Sequence, residues 1–102
     1  MPTIEQLEKL LAVDPNDPFV HYGIGQERAK LGEHAQAIEC FNEALRLDPS
    51  YCYAYYFKAI SLKEMGRRDE AQDIIRVGID HAQSAGDMKA RSELETLLQT
   101  IS

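Results

Sequence analysis

Residues 18–51 read PFVHYGIGQERAKLGEHAQAIECFNEALRLDPSY, and this stretch carries its own punctuation. Asp17 stands where a carboxylate caps a helix and Pro18 where a proline opens one. Gly32 sits where a left-handed residue ends it. Beyond that glycine, Ile38, Phe41 and Leu45 are spaced by three and four residues, the signature of one apolar helical face. Asp48-Pro49 then stops the run, because the residue before a proline is pushed out of helical geometry. Two helices joined by so short a turn must pack as antiparallel neighbours, so the stretch describes a helical hairpin.

Working outward, the same features return at a fixed interval of 34 residues. Asp14-Pro15 recurs as Asp48-Pro49, Gly32 as Gly66, and Ala37 as Ala71. The apolar series Leu7, Phe41, Ile75 and Leu11, Leu45, Ile79 keep the same step. A period of this length marks a stack of similar units, each burying the face its neighbour exposes. Six helices follow from the start and stop signals. Thr3 with Gln6 forms a capping box for a first helix over 4–13. The second covers 18–31 and the third 35–47. Ser50 is placed to cap a fourth that ends at Gly66. Asp69 marks the start of a fifth that ends at Gly86. Asp87 caps the last, on which Leu94, Leu97, Leu98 and Ile101 form an apolar stripe. The fold class expected is all-α.

The 34-residue pattern resembles the tetratricopeptide repeat. In 18–51 the matching positions are His21, Ile24, Gly25, Arg28, Gly32, Ala37, Phe41, Ala44 and Pro49, with His21 and Arg28 departing from the usual Trp and Tyr. In 52–85 they are Tyr55, Ala59, Leu62, Gly66, Ala71, Ile75 and Gly78. Lys58 and Gln83 stand there where Leu and Pro are usual. The resemblance implies one domain over 1–102: a half repeat at 3–16, repeats at 18–51 and 52–85, and a capping helix at 87–101. It also implies a right-handed superhelix of hairpins that curves, with the first helix of each pair lining the concave side. Gly25, Ala37, Ala59 and Ala71 are small because two helix backbones approach closely there.

On the fourth helix, Tyr53, Tyr56, Phe57 and Ile60 fall on one arc, and Tyr55, Ala59 and Leu62 on the opposite one. One arc must pack on the fifth helix. The other either packs between repeats or is open to a partner. Phe19, Tyr22 and Gln26 hold the matching places on the second helix. A groove of Phe19, Tyr22, Gln26, Tyr53, Tyr56, Phe57 and Ile60, flanked by Lys63, is therefore the expected protein-binding surface. Tyrosines suit it, since the ring offers apolar contact at low entropic cost and the hydroxyl offers polarity. Repeats that grip a terminal carboxylate place Lys and Asn where this chain has Tyr22, Gln26, Tyr56 and Ile60, so the expected partner is a less charged peptide or protein segment. The competing expectation is a homodimer that buries the same face.

The 102 residues carry 17 Asp and Glu against 11 Lys and Arg, a formal charge of −6. A chain this short builds one core. Nucleic acid demands clustered cations, and the densest basic spot, Arg67-Arg68, is flanked by Glu64, Asp69 and Glu70. No apolar run reaches the ~20 residues that span a bilayer, and the first residues lack the layout of a signal peptide. A cytoplasmic protein acting without membrane is expected. Cys40 and Cys52 fall roughly 10 Å apart along antiparallel helices at about 1.5 Å per residue, which predicts free thiols. His21, His34 and His81 lack metal-ligand spacing, and Gly23-Ile24-Gly25 lies inside a helix rather than in a phosphate loop. No cofactor, metal or catalytic residue is expected, and no enzyme.

Overall fold

The computed structural model describes residues 2–101 as six helices with no strand among them. In chain order they are α1 (Ile4–Val13), α2 (Pro18–Lys30), α3 (His34–Leu47), α4 (Cys52–Glu64), α5 (Arg68–Ala85) and α6 (Met88–Ile101). The caps explain most of these limits. Thr3 and Gln6 make both bonds of the capping box. The Asp17 carboxylate accepts from the Phe19 N–H at 3.0 Å, and that of Asp87 from the Ala90 N–H at 3.0 Å. Gly32 and Gly66 both adopt φ +78°, a conformation that only glycine takes without strain. Behind them the Glu33 N–H reaches back to the Arg28 carbonyl at 3.0 Å and the Arg67 N–H to that of Leu62 at 2.9 Å, the six-to-one bond of a Schellman stop.

Ser50 does not cap α4. The N-cap is Tyr51, with no side-chain bond. Ser50 instead gives its N–H to Asp48 Oδ1 at 3.0 Å, as Asn16 gives its own to Asp14 Oδ1 at 3.0 Å one period earlier. The Asp side chain claims the turn first, which leaves the serine inside it.

The period is thus written in hydrogen bonds as well as in side-chain types. His21 Nε2 lies 2.8 Å from the Pro15 carbonyl, and the Tyr55 hydroxyl donates to the Pro49 carbonyl at 2.8 Å. A carbonyl only accepts, so His21 holds its proton on Nε2. In both repeats a polar ring on the first helix ties down the preceding Pro turn. Arg28 has a structural role too: it meets Glu33 at 3.0 Å and Glu8 of α1 at 3.6 Å.

Consecutive helices pack as antiparallel neighbours. In addition α2 lies beside α4, and α4 beside α6, whereas α1, α3 and α5 stand apart from one another. The layer of α2, α4 and α6 is therefore the inner side of the curve. One core joins Tyr55, Leu62, Ile75, Leu94 and Ile101 around α4, α5 and α6, and a second joins Leu7, Val20 and Ile24. Arg68, at the start of α5, donates from Nη1 to the Ile101 carbonyl at 2.6 Å and so ties down the end of α6. Cys40 and Cys52 are free.

Close approach is tightest inside the first hairpin. A Cβ on Gly25 would stand 2.6 Å from Cε1 of Phe41, whose ring is wholly buried. Two residues away, a Cβ on Gly23 would make an ordinary 3.5 Å contact with Leu7. The two glycines should respond oppositely to the same change. Gly25→Ala is expected to cost about 1–3 kcal/mol through overpacking, and Gly23→Ala to gain about 0.5–1 kcal/mol through helix propensity. Urea denaturation of both variants checks the pair of signs.

Candidate functional site

On the inner layer, five aromatic rings form one continuous ladder. Tyr51, in the turn before α4, stands 4.8 Å from Tyr22 of α2; Tyr22 is 5.9 Å from Phe57 of α4. Phe57 is 5.1 Å from Tyr56, which is 6.4 Å from Tyr53, both pairs edge to face. Phe41 supports the ladder from α3 at 6.1 Å from Tyr22. The edge-to-face pairs place the positive rim of one ring on the negative face of the next. The ladder rings are half-buried and Phe41 is buried, so the row both packs the repeats together and shows one edge outward.

Beside the ladder, Gln26, Ala29 and Lys30 of α2, His34 of α3, and Phe57 and Ile60 of α4 enclose a recess of about 230 Å³. His34, one of its walls, makes a part-buried polar contact that spans 27 residues of sequence: its Nδ1 lies 3.1 Å from the hydroxyl of the fully buried Ser61. Lys63 stands one turn beyond Ile60. It is half-buried, and no ion pair or hydrogen bond engages its ammonium among the described residues.

The eight residues expected at the groove divide. Tyr22, Tyr53, Tyr56 and Phe57 join the ladder, Gln26 and Ile60 line the recess, and Lys63 stands a turn beyond Ile60, outside that lining. Phe19 stands elsewhere: 64% exposed, it faces Leu7 and Gly23 on the α1 side and makes no ring contact among the described residues. Tyr51, Phe41 and His34 are members that sequence reasoning passed over. The signal for Tyr51 was its place 34 residues after Asp17, in the turn that leads straight into an aromatic helix.

Burial is the main cause of the perturbed acidities here. It pushes Tyr22 up to about 12, helped by Tyr51 and Tyr53 and opposed by a hydrogen bond with Gln26. Burial also raises Tyr53, as does the Glu93 carboxylate of α6 that accepts its hydroxyl. Burial raises Tyr51, with Asp17 and Asp48 adding to it. Lys58, on α4 away from the ladder, is half-buried and its ammonium is pulled down by desolvation, partly offset by Glu70. These phenols stay neutral hydrogen-bond donors and acceptors throughout the physiological range. The site offers apolar edges, hydroxyls, one imidazole and one free cation. Among the described residues no three His, Cys, Asp or Glu side chains are grouped to hold a metal, and no helix is long and apolar enough to cross a membrane.

Comparison with known proteins bears on this geometry. The tetratricopeptide repeat profile matches residues 18–51. Superkiller protein 3 of Saccharomyces cerevisiae is 41% identical over 73 residues, which are 72% of this chain but 5% of that protein. The chain therefore spans a small part of the length of this curated relative. A solved tetratricopeptide repeat domain protein from Salinibacter ruber is 32% identical, with a TM-score of 0.76 over 83% of this chain and 94% of that one. The TPR2B domain of yeast Sti1, in its complex with pHsp70, shares the fold at a TM-score of 0.90 with 18% identity, covering 96% of this chain and 78% of that one.

Because Tyr22 ionises far more readily in the unfolded chain, its proton favours the folded state. That contribution is complete below pH 10 and is lost as pH rises through about 12. Stability should fall across this window, and Tyr22→Phe should flatten the fall. Alkaline denaturation followed by circular dichroism, with ultraviolet titration of tyrosinate, measures it.

Proposed function

Since the chain belongs to the tetratricopeptide repeat family, we propose that it is a non-catalytic protein-interaction module, holding a peptide or protein segment against the inner face of α2 and α4. The observation that carries this reading is the ring ladder with its recess. A row of half-buried aromatics crosses two repeats, and next to it lies a hollow of about 230 Å³ walled by Phe57, Ile60 and Ala29. Anchoring side chains of a partner bind best in such desolvated hollows, and aromatic neighbours are the usual hot-spot residues. The unpaired Lys63 adds one cation for a carboxylate or carbonyl of the partner. The tyrosine hydroxyls and Gln26 satisfy a backbone laid across the rings. A domain of the same fold in yeast Sti1 occurs in a complex with pHsp70, which supports the class of ligand without supplying its sequence.

Recognition of this kind needs no chemistry from the protein. Free Cys40 and Cys52 agree with a reducing compartment, so cytoplasmic action fits the proposal. Self-association through the same face is the competing occupant.

The test is a displayed library of random dodecapeptides selected against the wild-type chain. Enriched peptides should bind Ile60→Ala/Lys63→Glu at least about tenfold more weakly, a loss of about 1.4 kcal/mol, while the melting temperature stays close to wild type. Peptides that bind both proteins equally would refute the groove. Sedimentation velocity should show a monomer at high micromolar concentration, and a dimer broken by the same double variant would assign the face to a second copy.

A further inference from the structure

Among the described residues, four of the seven exposed large apolar side chains gather on the first two helices and their ends, while Met65, Val77 and Met88 stand elsewhere. Leu10 and Val13 of α1 are 52% and 87% exposed, and Phe19 and Leu31, at the two ends of α2, are 64% and 67%. All four belong to the first two helices of the stack. The other end is mostly polar, since the exposed positions of α6 include Ser92, Glu95, Thr96, Gln99 and Thr100, with Met88 in its first turn the large apolar side chain among them. At the apolar end a cavity of about 140 Å³ opens between α1 and α2, lined by Pro2, Leu7, Phe19, Gly23, Gln26 and Glu27. A second, shallower recess continues it past Ile4 and Glu5 to Lys30 and Leu31. Together they form a trough along one stripe of α2. From Phe19 to Leu31 its length is about 18 Å at 1.5 Å per residue, three turns of helix.

The repeat itself shows what a trough of this register accommodates. Adding 34 converts Leu7 into Phe41 and Gly23 into Phe57. Those two residues flank the Tyr22 ring, at 6.1 and 5.9 Å. The trough on α4 is thus filled by α2, which runs parallel to it and seats Tyr22 between Phe41 and Phe57. A ring placed one period ahead of Tyr22 would lie over Leu7 and Gly23, where the cavity is found. Two differences separate the trough on α2 from its filled counterpart. Gly23 stands in place of Phe57, which deepens it, and Gln26 and Glu27 stand in place of Ile60 and Ser61, which makes it tolerant of water. Such a surface suits an occupant that comes and goes.

We propose that this end of the stack docks an amphipathic α-helix of another polypeptide, parallel to α2, with an aromatic side chain inserted over Leu7 and Gly23. The site shares Gln26 with the recess of the peptide groove but is otherwise apart from it, and does not depend on it. A head-to-tail second copy is a poor occupant, because the face of α6 it would present is mostly polar. The rim offers both signs of charge, in the exposed pairs Lys9–Glu5 at 3.8 Å and Lys30–Glu27 at 3.2 Å, so the incoming helix needs no net charge.

The probe is the blocked peptide of residues Pro15–Glu33, since α2 is the helix that fills the equivalent trough. Amide shifts of the isotopically labelled protein, followed to millimolar peptide, should saturate at Leu7, Phe19 and Gly23. Gly23→Leu in the protein fills the cavity while keeping the helix, because Gly23 has no positive φ and its Cβ would make only ordinary 3.5 Å contact with Leu7. It should weaken binding at least about tenfold, as should Tyr22→Ala in the peptide. Phe19→Ser, at an exposed position, is a second variant that folds and should weaken it too. Ile60→Ala/Lys63→Glu should leave it unchanged, which separates this site from the peptide groove. The proposal is overturned if no saturating shift appears at those three amides, or if Gly23→Leu and the Tyr22→Ala peptide bind as well as the originals. A concentration-dependent dimer that Gly23→Leu abolishes would overturn it as well, by giving the trough to a second copy.

Discussion

Everything in this molecule depends on how closely two helix backbones can approach within a hairpin. The Phe41 ring lies against the bare Cα of Gly25, leaving no room for a methyl group. In the second repeat the same need appears from the other side, where Gly78 of α5 lies against Tyr55 and a Cβ would come within 2.8 Å of the Tyr55 Cβ. Ala37, Ala44, Ala59 and Ala71 are fully buried at the remaining crossings. Large side chains without such a glycine opposite them go between hairpins. The aromatic ladder is the result of that displacement: helices pressed together at small residues push their rings into the seams.

This coupling also explains why the surface that binds and the surface that packs are not separate sets of residues. Tyr22 holds Tyr51, Phe41 and Phe57 together, yet its own ring is only half-buried. Phe57 is at once a seam residue and a wall of the recess. A protein built this way presents a rigid row of rings at no added cost in order, because stacking has already fixed them.

Much of the architecture was legible in the sequence because the signals were local. Asp17 and Pro18, the three left-handed glycines and the Thr3–Gln6 box each act within a few residues, and the helices start and stop where they predict. Ser50 misled because Asp48, two residues earlier, competes for the same turn. The site was less legible. Helical phase put Tyr53, Tyr56, Phe57 and Ile60 on one face of α4, but it could not reveal that Tyr51, outside any helix, completes the row. Nor could it show that His34 reaches Ser61 across 27 residues. Phe19 shares the phase of Tyr22 closely enough to be grouped with it, yet the open space left by Gly23 draws it toward α1. Such outcomes depend on which neighbour is missing, and a helical wheel carries no record of neighbours.

The bond from Arg68 to the Ile101 carbonyl gives the stack a direction in time as well as in space. It staples the last turn of α6 to the beginning of α5, whereas α1 packs chiefly on α2, and more sparsely than any other consecutive pair of helices. In a quasi-one-dimensional array, opening begins where nearest-neighbour coupling is weakest. Fraying therefore starts at α1 and advances through α2 toward a clamped far end, so amide protons in α6 outlast those in α1 and the molecule unravels like a zip with one end sewn shut.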